Sequence, residues 1–117
     1  MGYYSQVKLC LKKDAYEDLR ERLLKNEIYD YMFDEGFFYL TELEDDNIVI
    51  CTWNEIKWYS TYKEIKIIED YLTELDDKEI EYRFIRVGEE YNDIEFREFY
   101  GDGSCERIQI YTSIEIY

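Results

Sequence analysis

Along residues 5–12, Val7, Leu9 and Leu11 alternate with Gln6, Lys8, Cys10 and Lys12. This period of two predicts a half-buried β-strand. The period then lengthens: Asp14 with Glu17 three residues on forms a capping box, and Tyr16, Leu19, Leu23 and Leu24 follow at helical spacing. They predict a helix over residues 14–26, capped by Asp14. Residues 28–36 keep no period and are rich in tyrosine and acid. Residues 37–43 read as a second strand, which the turn Glu44-Asp45-Asp46-Asn47 joins to a β-branched run from Ile48 that closes on Trp53 and Trp58. Ser60 or Thr61 caps a second helix, with Thr61 and Glu64 in capping-box register ahead of Ile65, Ile68, Leu72 and Leu75, which give it one apolar face, and a turn at Asp76-Asp77 ends it. Residues 80–87 form another strand, broken by Gly88. Residues 94–100, the turn Gly101-Asp102-Gly103-Ser104 and the alternating Ile108, Ile110, Thr112, Ile114 and Ile116 make a final hairpin.

Strand, helix, strand, strand, helix, strand is the split βαβ order. The expected architecture is therefore α+β: an antiparallel sheet with two helices on one face, ferredoxin-like βαββαβ plus a C-terminal β-hairpin. The strands of Leu9 and Ile50 would be the two central ones. The alternative is a continuous meander with both helices packed across it. With 117 residues and no proline, the chain offers no boundary to cut at, and residues 1–117 read as a single domain. Trp53 and Trp58, where the β-branched strand hands over to the second helix, read as the hinge of the core.

Charge alters this picture more than composition does. Hydrophobic residues are 46% of the chain and aromatic ones 19%, enough for a folded core, but fourteen tyrosines exceed what so small a core can bury with every hydroxyl satisfied. Several are expected at the surface. Against this stands a formal net charge of -15, from 29 acidic and 14 basic residues. Such a field repels nucleic acid and anionic membranes and favours basic protein surfaces as partners. Cys10, Cys51 and Cys105 are far apart and no histidine is present, so zinc has no ligand set and no disulfide framework is implied. Cys10 and Cys51 read as small core hydrophobes. Residues 44–47 lack the glycine and terminal glutamate of a calcium loop, and Gly88, Gly101 and Gly103 precede no helix that could cradle phosphate. No metal and no cofactor are expected. The N-terminus shows neither a basic nor an apolar leader segment, so the cytoplasm is the expected location.

Without histidine, and with cysteines set among apolar or acidic neighbours that disfavour thiolate, nucleophilic catalysis has no support. Carboxylate pairs are too numerous to be informative, and no enzyme activity is expected. What remains is protein binding. Acidic residues interleaved with aromatics single out Asp30, Tyr31, Asp34 and Glu35, then Glu44, Asp45 and Asp46, then Glu89, Glu90, Tyr91 and Asp93 as partner-binding candidates. A further acidic run spans residues 69–81. Carboxylates spread like phosphates over a surface can occupy a nucleic-acid channel, with tyrosines as short-range anchors. The rival reading is a structural or self-associating protein, a homodimer joined through the edge of the last strand or the exposed tyrosines.

The stretches Tyr3-Tyr4-Ser5, Ile56-Lys57-Trp58-Tyr59 and Phe84-Ile85-Arg86-Val87-Gly88-Glu89-Glu90 resemble small acidic proteins encoded by phages and prophages of low-GC Gram-positive bacteria. The likeness covers most of the chain. Its motifs mark a fold and not an active site, so no functional residue is carried over. By class analogy the resemblance implies an anti-CRISPR-like inhibitor of host defence, acting on a nucleic-acid-binding host protein through charge that imitates DNA.

Overall fold

The computed structural model describes residues 4–26, 38–43, 47–90 and 92–99. Its elements are β1 (Ser5–Lys12), α1 (Lys13–Lys25), β2 (Phe38–Leu43), β3 (Ile48–Ile56), α2 (Lys63–Lys78), β4 (Tyr82–Val87) and β5 (Ile94–Phe99). The five strands form one sheet in the order β2-β3-β1-β4-β5, every neighbouring pair antiparallel. The chain is thus α+β as expected. The order is not that of a four-stranded ferredoxin-like sheet, because β5 lies outside β4. That fifth strand also corrects the expected centre: β1 is the middle strand, flanked by β3 and β4. The expected strand over residues 108–116 lies outside the described residues.

The alternation in β1 sorts the two faces. Val7, Leu9 and Leu11 stand opposite Trp53, Cys51 and Val49 of β3, and Leu9 and Leu11 stand opposite Phe84 and Tyr82 of β4. Leu19 and Leu23 of α1 and Ile65, Ile68, Leu72 and Leu75 of α2 close over them in one buried cluster. Burying each such aliphatic side chain contributes about 2 kcal/mol. Both tryptophans belong to this cluster, their rings 6.1 Å apart, with Trp58 also 5.5 Å from Phe84. The hinge expected of them is therefore a packed joint between the end of β3 and the start of α2. On the opposite face Cys10, fully buried, packs with Ile48 and Ile50.

Both helix starts differ from expectation. Asp14 does not cap α1, which begins at Lys13 with no side-chain cap. β1 runs into α1 without a spare residue, and the Lys13 amide donates instead to the Asn47 carbonyl at 3.0 Å. A tertiary contact has taken the place of the local cap. Neither Ser60 nor Thr61 caps α2, which starts at Lys63 after a turn closed by the Tyr62 amide on the Tyr59 carbonyl at 2.9 Å. At its other end α2 passes through Asp76-Asp77 without turning there. It stops at Lys78, where Glu79 adopts left-handed backbone (φ 58) and the Ile80 amide returns to the Leu75 carbonyl at 2.9 Å. None of the described helices is long and apolar enough to cross a membrane.

Candidate functional site

Strand register brings four chain segments to one end of the sheet. Ser5 at the start of β1 stands opposite Ile56 at the end of β3, Gln6 opposite Val87 at the end of β4, and Val87 opposite Ile94 at the start of β5. Tyr4-Ser5, Ile56-Lys57-Trp58-Tyr59 and Arg86-Val87-Gly88-Glu89-Glu90 thus converge there. The Tyr4 amide donates to the Glu89 carboxylate. The Lys57 ammonium sits 5.6 Å from the centre of the Tyr4 ring, and Tyr4 is 41% exposed.

Arg86 holds this end together. Its guanidinium donates twice to Asp93, at 2.7 and 3.1 Å, once to Glu95 at 3.0 Å and once to the hydroxyl of buried Ser5 at 3.1 Å. The planar fork suits the bidentate bond, which lysine cannot reproduce. The hydrogen bond to Asp93, ahead of the opposing cost of burial, raises the Arg86 pKa, so the group stays charged throughout. The loop it anchors is closed by its own backbone: the Gly88 amide donates to the Asp93 carbonyl at 2.8 Å and the Asp93 amide to the Glu90 carbonyl at 3.1 Å. Asp93 is therefore a half-buried structural acid whose charge Arg86 meets. Glu89 and Glu90 are the carboxylates exposed at the tip.

Of the remaining partner-binding candidates, Asp30, Tyr31, Asp34, Glu35, Glu44, Asp45, Asp46 and Tyr91 lie outside the described residues. Their attachment points are described. Phe38, the first residue of β2, stands opposite Trp53, at the same end of the sheet as Glu89 and Glu90. Three strand spacings, about 14 Å, separate β2 from β4. Leu43 and Asn47, which flank Glu44 to Asp46 in the sequence, lie toward the other end of the sheet. Sequence reasoning selected the acids of this end and missed its organising groups, Arg86, Ser5, Tyr4 and Lys57. The signal available was an arginine at an inward-facing position of β4, where a strand ordinarily places an apolar residue.

The acidic run over residues 69–81 resolves into paired and unpaired positions. Glu74 accepts from Arg22 and Lys78, Asp76 from Arg97, and Glu81 lies 3.9 Å from Lys12. Asp70, Asp77 and Glu79 face solvent. Burial pushes the Cys51 thiol far above its ordinary pKa, which leaves it protonated and unreactive. Among the described residues no group of three or more cysteine, aspartate or glutamate side chains is arranged to hold a metal ion. Compared with protein-family models, with curated proteins and with solved structures, the chain gives no significant match in any of the three.

Proposed function

We propose that the chain is an acidic protein-binding module, a phage-derived inhibitor that occupies a basic, nucleic-acid-binding surface of a host defence protein of the CRISPR-Cas type by imitating the charge of nucleic acid. The observation that carries this reading is the end of the sheet where exposed Glu89 and Glu90 stand beside the exposed ring of Tyr4. Asp93 and Arg86 fix the loop beneath them, so the carboxylates are presented from a backbone that is already ordered, which limits the entropy lost on binding. A net charge of -15 supplies long-range attraction to lysine and arginine, and the tyrosine supplies short-range area. The module works without a cofactor and without catalysis, in the cytoplasm of the bacterial host. A ferredoxin-like assignment belongs to the same reading. It is supported by the order β2-β3-β1-β4 that remains when β5 is set aside.

A pull-down from host lysate at low and at high salt, followed by competition with nucleic acid, tests the proposal. Capture of a nucleic-acid-binding protein that weakens about tenfold or more between 50 and 200 mM salt, and is competed by nucleic acid, supports it. Salt-insensitive, non-competitive capture removes the charge mimicry and leaves protein binding standing.

A further inference from the structure

We infer that Tyr4 and Glu89 form a place for one arginine side chain of the protein partner, a place that Lys57 partly fills in the free chain. The inference rests on the protein-binding reading above and names the residue type that this end of the sheet selects. Twice elsewhere in the chain an arginine lies against an aromatic ring and bonds a carboxylate from the same element as that ring. Arg22 is 4.6 Å from the centre of the Tyr71 ring and bonds Glu74 at 2.6 and 2.9 Å, both partners belonging to α2. Arg83 is 5.5 Å from the centre of the Phe96 ring and bonds Glu98 at 3.1 Å, both partners belonging to β5. The guanidinium makes this combination natural, because its flat face is attracted to a ring while its nitrogens donate to a carboxylate.

Tyr4 and Glu89 repeat the ring and the carboxylate, tied together through the Tyr4 amide. The cation differs. Lys57 brings its ammonium to 5.6 Å from the ring centre, yet it is paired with no carboxylate among the described residues. An ammonium is a compact, strongly hydrated point charge, and it does not cover a ring and hold a carboxylate at once as a planar guanidinium does. Tyr4 is 41% exposed and Glu89 is exposed, so a side chain arriving from outside can reach both. Arg86 holds the loop of Glu89 through Asp93, so ring and carboxylate are set before the partner arrives, which limits the entropy lost on binding. Entry of the guanidinium moves Lys57 off the ring, and its flexible stem returns the ammonium to water.

The test uses the full chain and two peptide probes of equal charge, hexa-arginine and hexa-lysine, titrated at about 150 mM salt and followed by amide NMR. The amides of Tyr4, Lys57 and Glu89 should shift with both probes and report about threefold tighter binding of hexa-arginine. Tyr4→Leu should bring the ratio of the two affinities to about one, whereas Tyr4→Phe, which keeps the ring, should leave it unchanged. Lys57→Gln should tighten hexa-arginine binding by more than Lys63→Gln, which makes the same change in net charge at the start of α2. A ratio near one in the wild type, a ratio that Tyr4→Leu leaves alone, equal effects of the two lysine substitutions, or no shift at these amides overturns the inference. Equal and steeply salt-dependent binding of both probes removes the arginine place and leaves charge mimicry standing. Arginine preference without capture of a nucleic-acid-binding protein from host lysate supports the place and removes the mimicry.

Discussion

Arg22 of α1 grips Glu74 of α2 with both terminal nitrogens, at 2.6 and 2.9 Å, while its guanidinium lies 4.6 Å from the centre of the Tyr71 ring. The two helices are thus tied on their outer side by an ionic fork laid over an aromatic face. The hydrogen bonds from Arg22 and then Lys78 hold the Glu74 carboxyl down to about 2, against an ordinary value of 4.5. A depressed carboxyl stabilises the fold above its unfolded pKa, and that contribution is lost as pH falls from there through about 2. Glu74→Gln should therefore lower Tm at pH 7, and the gap to wild type should close between about pH 5 and pH 2. Thermal melts of both proteins over that range check this. A gap unchanged at pH 2 would mean the fork contributes by packing alone.

The alkaline limit comes from tyrosine. Burial first, and then the hydrogen bond given to Asp76, push the Tyr82 hydroxyl up to about 12 from 10. Tyr71 is displaced in the same direction, again by burial first and then by Asp18. A raised phenol leaves stability intact below its unfolded pKa of 10, and the contribution is lost as pH rises toward 12. Absorbance at 295 nm should keep rising, together with loss of helical signal, up to about pH 12 as Tyr82 ionises. Tyr82→Phe should remove about 1 kcal/mol at pH 7 by orphaning the Asp76 bond, and should shrink that rise. A spectrum of the wild type that matches Tyr82→Phe at every pH, with the fold intact, would contradict the burial.

Arg86 makes the third case. Arg86→Ala leaves Asp93, Glu95 and the hydroxyl of buried Ser5 without their shared donor, a loss of about 2 to 3 kcal/mol. Arg86→Lys restores the charge but not the fork, and should recover less than half of that. Urea denaturation gives the magnitudes. Amide exchange places the damage: the Gly88 and Asp93 amides, which close the loop, should exchange faster in both variants, while the amides of α1 should not.

What could be read from the sequence, and what could not, divides along a physical line. The alternation at Val7, Leu9 and Leu11 and the helical spacing at Ile65, Ile68, Leu72 and Leu75 are periodic and local, and each of those residues is buried as its pattern requires. Tyr71 is buried as well, at 4% exposure, although it lies beside the stripe and not on it. Helix starts failed where a distant group intervened: Asp14 gives way to the carbonyl of Asn47, a residue held in left-handed backbone (φ 56) just before β3. Asp76 and Asp77 read as a turn because acids favour turns, yet the Schellman-type return from Ile80 to Leu75 carries the helix past them. For the candidate site, acidity identified Glu89 and Glu90 but could not say that Asp93, two positions beyond Tyr91, is neutralised from within. That requires knowing that Arg86 faces the same end from the neighbouring strand.

Trp58 tests the joint between β3 and α2. It is 8% exposed, packs between Trp53 and Phe84, and its indole nitrogen makes no hydrogen bond to the described residues. Its contribution is then that of a large apolar body, and the N–H adds nothing to it. Trp58→Phe should keep the tilted packing with Phe84 and cost only about 1 kcal/mol, since the indole N–H forfeits no partner and the volume lost is modest. Trp58→Ala empties the joint and should cost about 3 to 5 kcal/mol, enough to leave a small domain partly unfolded at room temperature. Equilibrium denaturation followed by the fluorescence of Trp53, which remains in both variants and is itself 3% exposed, measures the two costs by one probe. Similar losses in both variants would show that the indole nitrogen has a partner that matters, and would move Trp58 from packing to hydrogen bonding in the account of how β3 hands over to α2.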